Sequence, residues 1–187
     1  MTTVRDIEAI VGSQERSEGA VVWIGARAIK IKSGRYKALH RLITQCSART
    51  IWEHSAVWWL IGSDPEPDAK KIANQLKLSH DRVLQVIEAG RDWSTRFTGS
   101  FVPQYFSEWA LAKELQLEQA FKDEFHACSV EFMLVMHLTD DRAAFAKAVA
   151  KNPRKSALFL LLDHRDIVPH CWLSAYPGHE LPFANVG

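Results

Sequence analysis

Residues 18–45, EGAVVWIGARAIKIKSGRYKALHRLITQ, change their apolar period halfway along. AVVWI, then the pair Gly25-Ala26, then AIKIK fits a strand, a tight turn and a second strand. Side chains alternate across a strand, so Ile29 and Ile31 face one way and Lys30 and Lys32 the other. From about Tyr36 the spacing is helical, with Leu39, Leu42 and Ile43 on one stripe. Two strands alone are marginal in water. The hairpin is therefore expected either to edge a larger sheet or to pack on the helices.

The residues beyond Tyr36 carry helical patterns. SARTIWEHSAVWWLIG has Ile51, Trp52, Trp58 and Trp59, and GSDPEPD after it is a loop by its Gly and Pro. AKKIANQLKL and SHDRVLQVIEAGRDW come next, the second with Ser79 as N-cap. Residues 102–136 form one long helix candidate. Phe106, Ala110, Phe121, Phe125, Cys128 and Phe132 recur on its apolar face, and the other face is mainly acidic. Thr139 is available to cap DDRAAFAKAVAK, and Pro153 ends it. RKSALFLLLD and DIVPHCWLSAY are two short apolar segments near the end. The fold class is mainly α: a C-terminal helical bundle preceded by a short β-hairpin.

The 187 residues suit one domain with or without an appendage, and 47% hydrophobic with 24% charged residues is a globular composition. Cys46, Cys128 and Cys171 are too scattered for a Cys-x-x-Cys site or a disulfide framework. Arg5, Asp6 and Glu8 stand where a signal peptide needs an apolar run, and no apolar stretch is long enough for a membrane span. A cytoplasmic protein with no membrane partner is expected.

The net charge of +1 conceals a local excess. No acidic residue lies between Glu18 and Glu53, whereas Arg27, Lys30, Lys32, Arg35, Lys37, Arg41 and Arg49 do, together with His40. Such a run favours an anionic, phosphate-bearing partner; a solvated basic face is the plainer alternative. Lys30 and Lys32 would set two ammonium groups roughly 7 Å apart by the strand rise, which suits a polyphosphate. Glu18, across the hairpin, could add a carboxylate for a divalent cation. Outward lysines that block edge-to-edge pairing are the alternative.

Residues 18–42 resemble the end of the nucleotidyltransferase domain of ATP-dependent RNA ligases of the phage tRNA-repair type. That family has a Glu-Gly motif and a Lys-x-Lys motif with this separation, then a Tyr and a Leu-His, as Tyr36, Leu39 and His40 are placed here. SARTIWE at 47–53 is similar to what family members carry. ALFLLLDHRDIVPHCW at 157–172 looks like their closing segment, with Leu158, Phe159, Leu162, Asp163, Asp166 and Trp172 at matching places and His164 where glycine is expected.

The resemblance implies that the hairpin is a remnant of the nucleotidyltransferase sheet, with ligase strands over 1–34 and an all-helical RNA-selecting domain over 35–187. It implies ATP and Mg2+ as cofactors, Glu18 at the metal, and Lys30 and Lys32 as catalytic and phosphate-contacting groups. RNA, often tRNA, is the implied partner, and the basic run offers Arg27, Arg35, Lys37, His40, Arg41 and Arg49 to meet it. The reaction would join a 5'-phosphate to a 3'-hydroxyl through adenylyl transfer. One departure is large. The family's nucleophile is the lysine of a Lys-x-Asp-Gly motif far upstream of Glu-Gly. None of the eleven lysines here is followed by x-Asp-Gly, and only 17 residues precede Glu18. The chain is therefore expected to need an N-terminal ligase partner and to be inactive alone.

Two other readings stand beside this one. The helices could form a non-enzymatic nucleic-acid-binding module that uses residues 27–49. Residues 68–90 could form a helix-turn-helix with His80, Asp81, Arg82 and Gln85 early on its second helix. His126 and His137 read as core or boundary residues, and His164, His170, Cys171 and His179 as a cluster without a metal-ligand pattern.

Overall fold

The computed structural model describes residues 4–13, 19–34, 36, 37, 40, 46–64, 66–92 and 104–178. The fold is mainly helical, with one antiparallel hairpin ahead of a helical bundle. Helix α1 (Val4–Ser13) precedes strands β1 (Gly19–Ile24) and β2 (Arg27–Lys32). Then come α2 (Ala48–Ser63), α3 (Ala69–Leu76), α4 (His80–Ala89) and the 32-residue α5 (Gln104–Val135). A short 3-10 turn at Met136–Leu138 leads to α6 (Arg142–Val149), α7 (Lys155–Leu162) and α8 (Val168–Ser174).

The strands pair with Val21 opposite Lys30, Gly19 opposite Lys32 and Ile24 opposite Arg27. A two-residue turn joins them, with Gly25 at φ 60, the first central position that a type II′ turn reserves for glycine. Lys30, Lys32, Val21 and Trp23 therefore share one face, while Ala20, Val22, Ile29 and Ile31 share the other. Helix α1 packs against both strands and buries Val11. This helix is an addition to the expected elements. Ile7 and Val11, one turn apart, are the signal for it in the sequence.

Helix α2 is the centre of the bundle. It packs on α3, α4, α5 and α8, and Ile51, Trp52, Ala56, Val57 and Leu60 are all buried. Trp172 of α8 stacks on Phe121 of α5 at 4.5 Å, and its carbonyl accepts the Trp52 indole N–H at 2.7 Å. Burial of such rings is the main stabilising term, worth a few kcal/mol each. A second, smaller core holds Phe145, Val149 and Leu158, where α6 and α7 fold back on the end of α5. Among the described residues no helix is long and apolar enough to cross a membrane.

The helix boundaries obey local chemistry. Ser47 accepts from the Thr50 N–H, Asp68 from Lys70 and Ser79 from Arg82, each satisfying a donor that the first turn leaves open. Ser79 thus caps α4 as its position predicts. Thr139 does not cap the next helix. Asp141 does, accepting from Ala143 and Ala144, while the Thr139 hydroxyl turns back to the Met136 carbonyl. An aspartate one residue before the helix reaches these N–H groups; a threonine three residues before it does not. Phe125 also departs from expectation. It is 39% exposed, because a stripe of period 3.6 drifts around a helix this long and the core meets only part of it.

Helix α7 ends in an αL residue that is not glycine. His164 has φ 52, its N–H bonds the Leu161 carbonyl, and the Arg165 N–H bonds the Leu160 carbonyl. These are the two bonds of a Schellman end, whose αL position favours glycine.

Candidate functional site

Lys30 and Lys32 are exposed on the outer face of β2, and an open cleft of about 400 Å3 lies beside them. Gly19, Ala20, Val21, Ile31 and Tyr36 complete its lining. That volume is within the range of small-ligand sites. Gly19 is fixed by sterics. Its φ is 146, and a Cβ there would lie 2.0 Å from the Ile31 carbonyl oxygen. The glycine of the Glu-Gly pair is thus required wherever the first strand begins this close to the second.

Ser33 carries the chain out of the strand. It is buried, its Oγ accepts from the Tyr36 N–H at 3.1 Å, and its carbonyl accepts from Lys37 at 3.0 Å. This cap turns Tyr36 back over the cleft. The Lys32 ammonium sits 4.9 Å from the Tyr36 ring centroid, a cation–π distance. The His40 ring lies 5.7 Å beyond Tyr36. Trp23, 69% exposed, extends the same face. The result is a surface with two ammonium groups and flat aromatic walls, suited to a phosphate joined to a planar base.

The other predicted site residues divide. Glu18, Arg35 and Arg41 lie outside the described residues. Lys37 and His40 are exposed next to the cleft. Arg27 is exposed but sits on the opposite face from the lysines, because alternation places 27, 29 and 31 together. Arg49 lies in the bundle, where its Nε donates to Glu53 at 2.8 Å. Arg82 donates to the other Glu53 oxygen at 2.7 Å and to Gln85 at 3.1 Å. Glu53 is only 2% exposed; Arg82 ties α4 to it on α2, while Arg49 pairs with it one turn away along α2 itself. Charge runs in the sequence do not reveal such pairings. Ser33 and Trp23 were not predicted; an exposed Trp on the lysine face of a period-2 stretch was the available signal.

The remaining ligase-like segments have structural roles. In SARTIWE, Ser47 caps, Arg49 and Glu53 pair, and Ile51 and Trp52 are core. In the closing segment, Leu158 and Trp172 are buried, and Asp166 accepts from the Val168 N–H. Asp163 meets Arg142, whose guanidinium holds its carboxyl below the usual range.

The cysteines are all buried. Burial pushes the Cys46 and Cys171 thiols up to about 12, and Cys128 is raised as well, so none is a thiolate nucleophile at neutral pH. Among the described residues no three His, Cys, Asp or Glu side chains converge as a metal site would need. No family model, curated protein or solved structure matches this chain.

Proposed function

We propose that this chain is the C-terminal part of an ATP-dependent RNA ligase, supplying the last strands of the nucleotide pocket and a helical RNA-selecting domain. The observation that carries the reading is the pairing of Lys30 and Lys32 on one face, beside a cleft closed by Tyr36, with Gly19 opposite Lys32. Two cations at strand spacing match what adenylyl transfer needs, which is neutralisation of charge on the transferred phosphate. The donor set fits ATP. Mg2+ would accompany its phosphates, with Glu18 as the carboxylate that the resemblance assigns.

The nucleophile would come from a partner segment bearing Lys-x-Asp-Gly. Incubation with ATP labelled at the α-phosphate tests this. The chain alone should show no covalent label, and addition of such a segment should restore it. Lys30→Ala or Lys32→Ala should then reduce labelling by about 10²-fold or more, the order lost when one preorganised donor is removed. A labelled band from the pure chain would overturn the reading.

The non-enzymatic module is the second reading, favoured by the exposure of Lys30, Lys32 and Lys37 together. It predicts binding to RNA without ATP that weakens steeply with salt. The helix-turn-helix reading gains nothing from Arg82, whose guanidinium is engaged by Glu53.

A further inference from the structure

Helix α5 carries apolar side chains on two sides. One is the core side, where Phe106, Ala110, Leu117, Phe121 and Cys128 are buried and the helix packs on α2 and α8. The other looks into solvent. Leu111, Leu115 and Met133 are each 59% exposed there, and Leu134 on its flank is 71% exposed. Leu111, Leu115, Lys122, His126 and Met133 are spaced by four and seven residues, so one line along the helix passes through all five. A single exposed leucine is ordinary, but grouped ones mark a contact surface. A helix apolar on both sides is one that is covered on both.

The order of residues along this line says what covers it. An apolar group stands at each end, Leu111 with Leu115 and Met133 with Leu134. The turns between are polar and exposed, with Gln119, Lys122, Asp123 and His126. The pattern is symmetric about the point between Lys122 and Asp123. A second α5 laid antiparallel, with its two-fold axis there, sets Leu111 level with Leu134, Ala112 with Met133 and Glu108 with His137. Each apolar group then meets the other, and both are covered at once. Lys122 and Asp123 of the two copies gather at the axis, two charges of each sign. Within one chain Lys122 meets Glu118 at 3.5 Å, an exposed contact of little worth.

Other arrangements fit less well. A parallel pair would also join apolar residues, but it would set Glu108, Lys122 and Asp123 each against its own copy and align the two helix dipoles. An unrelated partner would need two apolar groups separated by roughly 30 Å, the helix rise between the two groups here. The chain itself supplies that spacing. We infer that the outward side of α5 is a self-association surface. On it a second copy of this chain docks its own α5 antiparallel, with Leu111 and Leu115 of one copy against Met133 and Leu134 of the other.

This inference does not rest on the ligase reading, and the two fail separately: covalent labelling reads one and sedimentation the other. Sedimentation equilibrium of the full chain should show a monomer–dimer equilibrium in the micromolar range, as small transient interfaces do. Leu115→Glu and Met133→Glu should each raise the dimer Kd at least about tenfold, the order expected when one buried apolar side chain is lost. Both positions are exposed in the single chain, so the circular dichroism spectrum and the unfolding midpoint of these variants at low concentration should match the parent. Lys30→Ala should leave the Kd unchanged. Disulfide trapping then reads the direction. Ala112→Cys chains mixed with Met133→Cys chains should give a mixed disulfide on mild oxidation with diamide. Ala112→Cys chains alone should not couple, because the antiparallel pair holds the two copies of position 112 roughly 30 Å apart. The native cysteines are buried and do not compete. A chain that stays monomeric through the micromolar range, a dimer that Leu115→Glu leaves intact, or coupling of Ala112→Cys chains with each other would overturn the inference.

Discussion

Trp23 and Trp172 are the same side chain in opposite settings. Trp23 is 69% exposed on the hairpin, whereas Trp172 is fully buried in the bundle, stacked on Phe121 and bonded through its carbonyl to Trp52. The bundle uses aromatic area to hold helices together. The hairpin places the same kind of area on a surface that also carries Lys30 and Lys32. Two strands contribute little stability of their own, and α1 covers them incompletely, with Val21, Ile24 and Ile29 also exposed. Stability therefore resides in the bundle, and the exposed pair of lysines in the hairpin.

The sharpest way to break that division is to truncate both rings. Trp172→Ala should cost about 3–5 kcal/mol of unfolding free energy, the range for removal of a large buried aromatic. Trp23→Ala should stay within about 0.5 kcal/mol, as surface substitutions do. Denaturant unfolding monitored by circular dichroism measures both. Comparable losses would mean that the hairpin is part of the core.

The bundle's polar centre comes next in size. Glu53→Ala removes an acceptor shared by Arg49 and Arg82 and should cost about 1.5–3 kcal/mol, the worth of hydrogen bonds to a charged group. The arginines are partly exposed and can rehydrate, which keeps the loss below that of a fully buried pair. Arg82→Ala made in the Glu53→Ala background should add little. A fully additive second loss would show that Arg82 acts through something other than Glu53.

These two layers were not equally legible in the sequence. The alternation up to Lys32 announces the hairpin because side-chain direction is a local property, whereas the helical stripe of Leu39, Leu42 and Ile43 lies outside the described residues. The Ser79 cap and the long helix were readable for the same reason, whereas Gly62 and Ser63, read as loop, belong to the end of α2. The placement of Lys30 and Lys32 on one face needed only alternation. Tyr36 over Lys32 needed the turn at Ser33, which no period encodes. The engagement of Arg49 and Arg82 by one carboxylate joins residues 29 positions apart. Charge in the sequence marks where cations are. It does not mark which of them the fold has already paired.

Gly19→Ala tests the hairpin without touching the bundle. The new Cβ would meet the Ile31 carbonyl, so the pairing of Gly19 with Lys32 must open at a local cost of about 1–3 kcal/mol. Nuclear Overhauser contacts between Val21 and Lys30 should disappear, and binding of polyphosphate to the cleft should fall with them. The unfolding midpoint of the bundle should move little. A large shift in that midpoint would tie the two regions together more strongly than their burial implies.

The smallest effect lies at the end of α7. His164 holds φ 52, where an L side chain costs roughly 1–2 kcal/mol, and its imidazole is exposed. His164→Gly removes that strain. It also frees the unfolded chain, which takes back about 0.4–1 kcal/mol. The net should be a gain of about 0.5–1 kcal/mol, read as a higher melting temperature. His164→Ala keeps the Cβ and should give no such gain. If alanine and glycine stabilise equally, the cause lies in the imidazole rather than the backbone, and the αL conformation would cease to explain why a glycine suits this position.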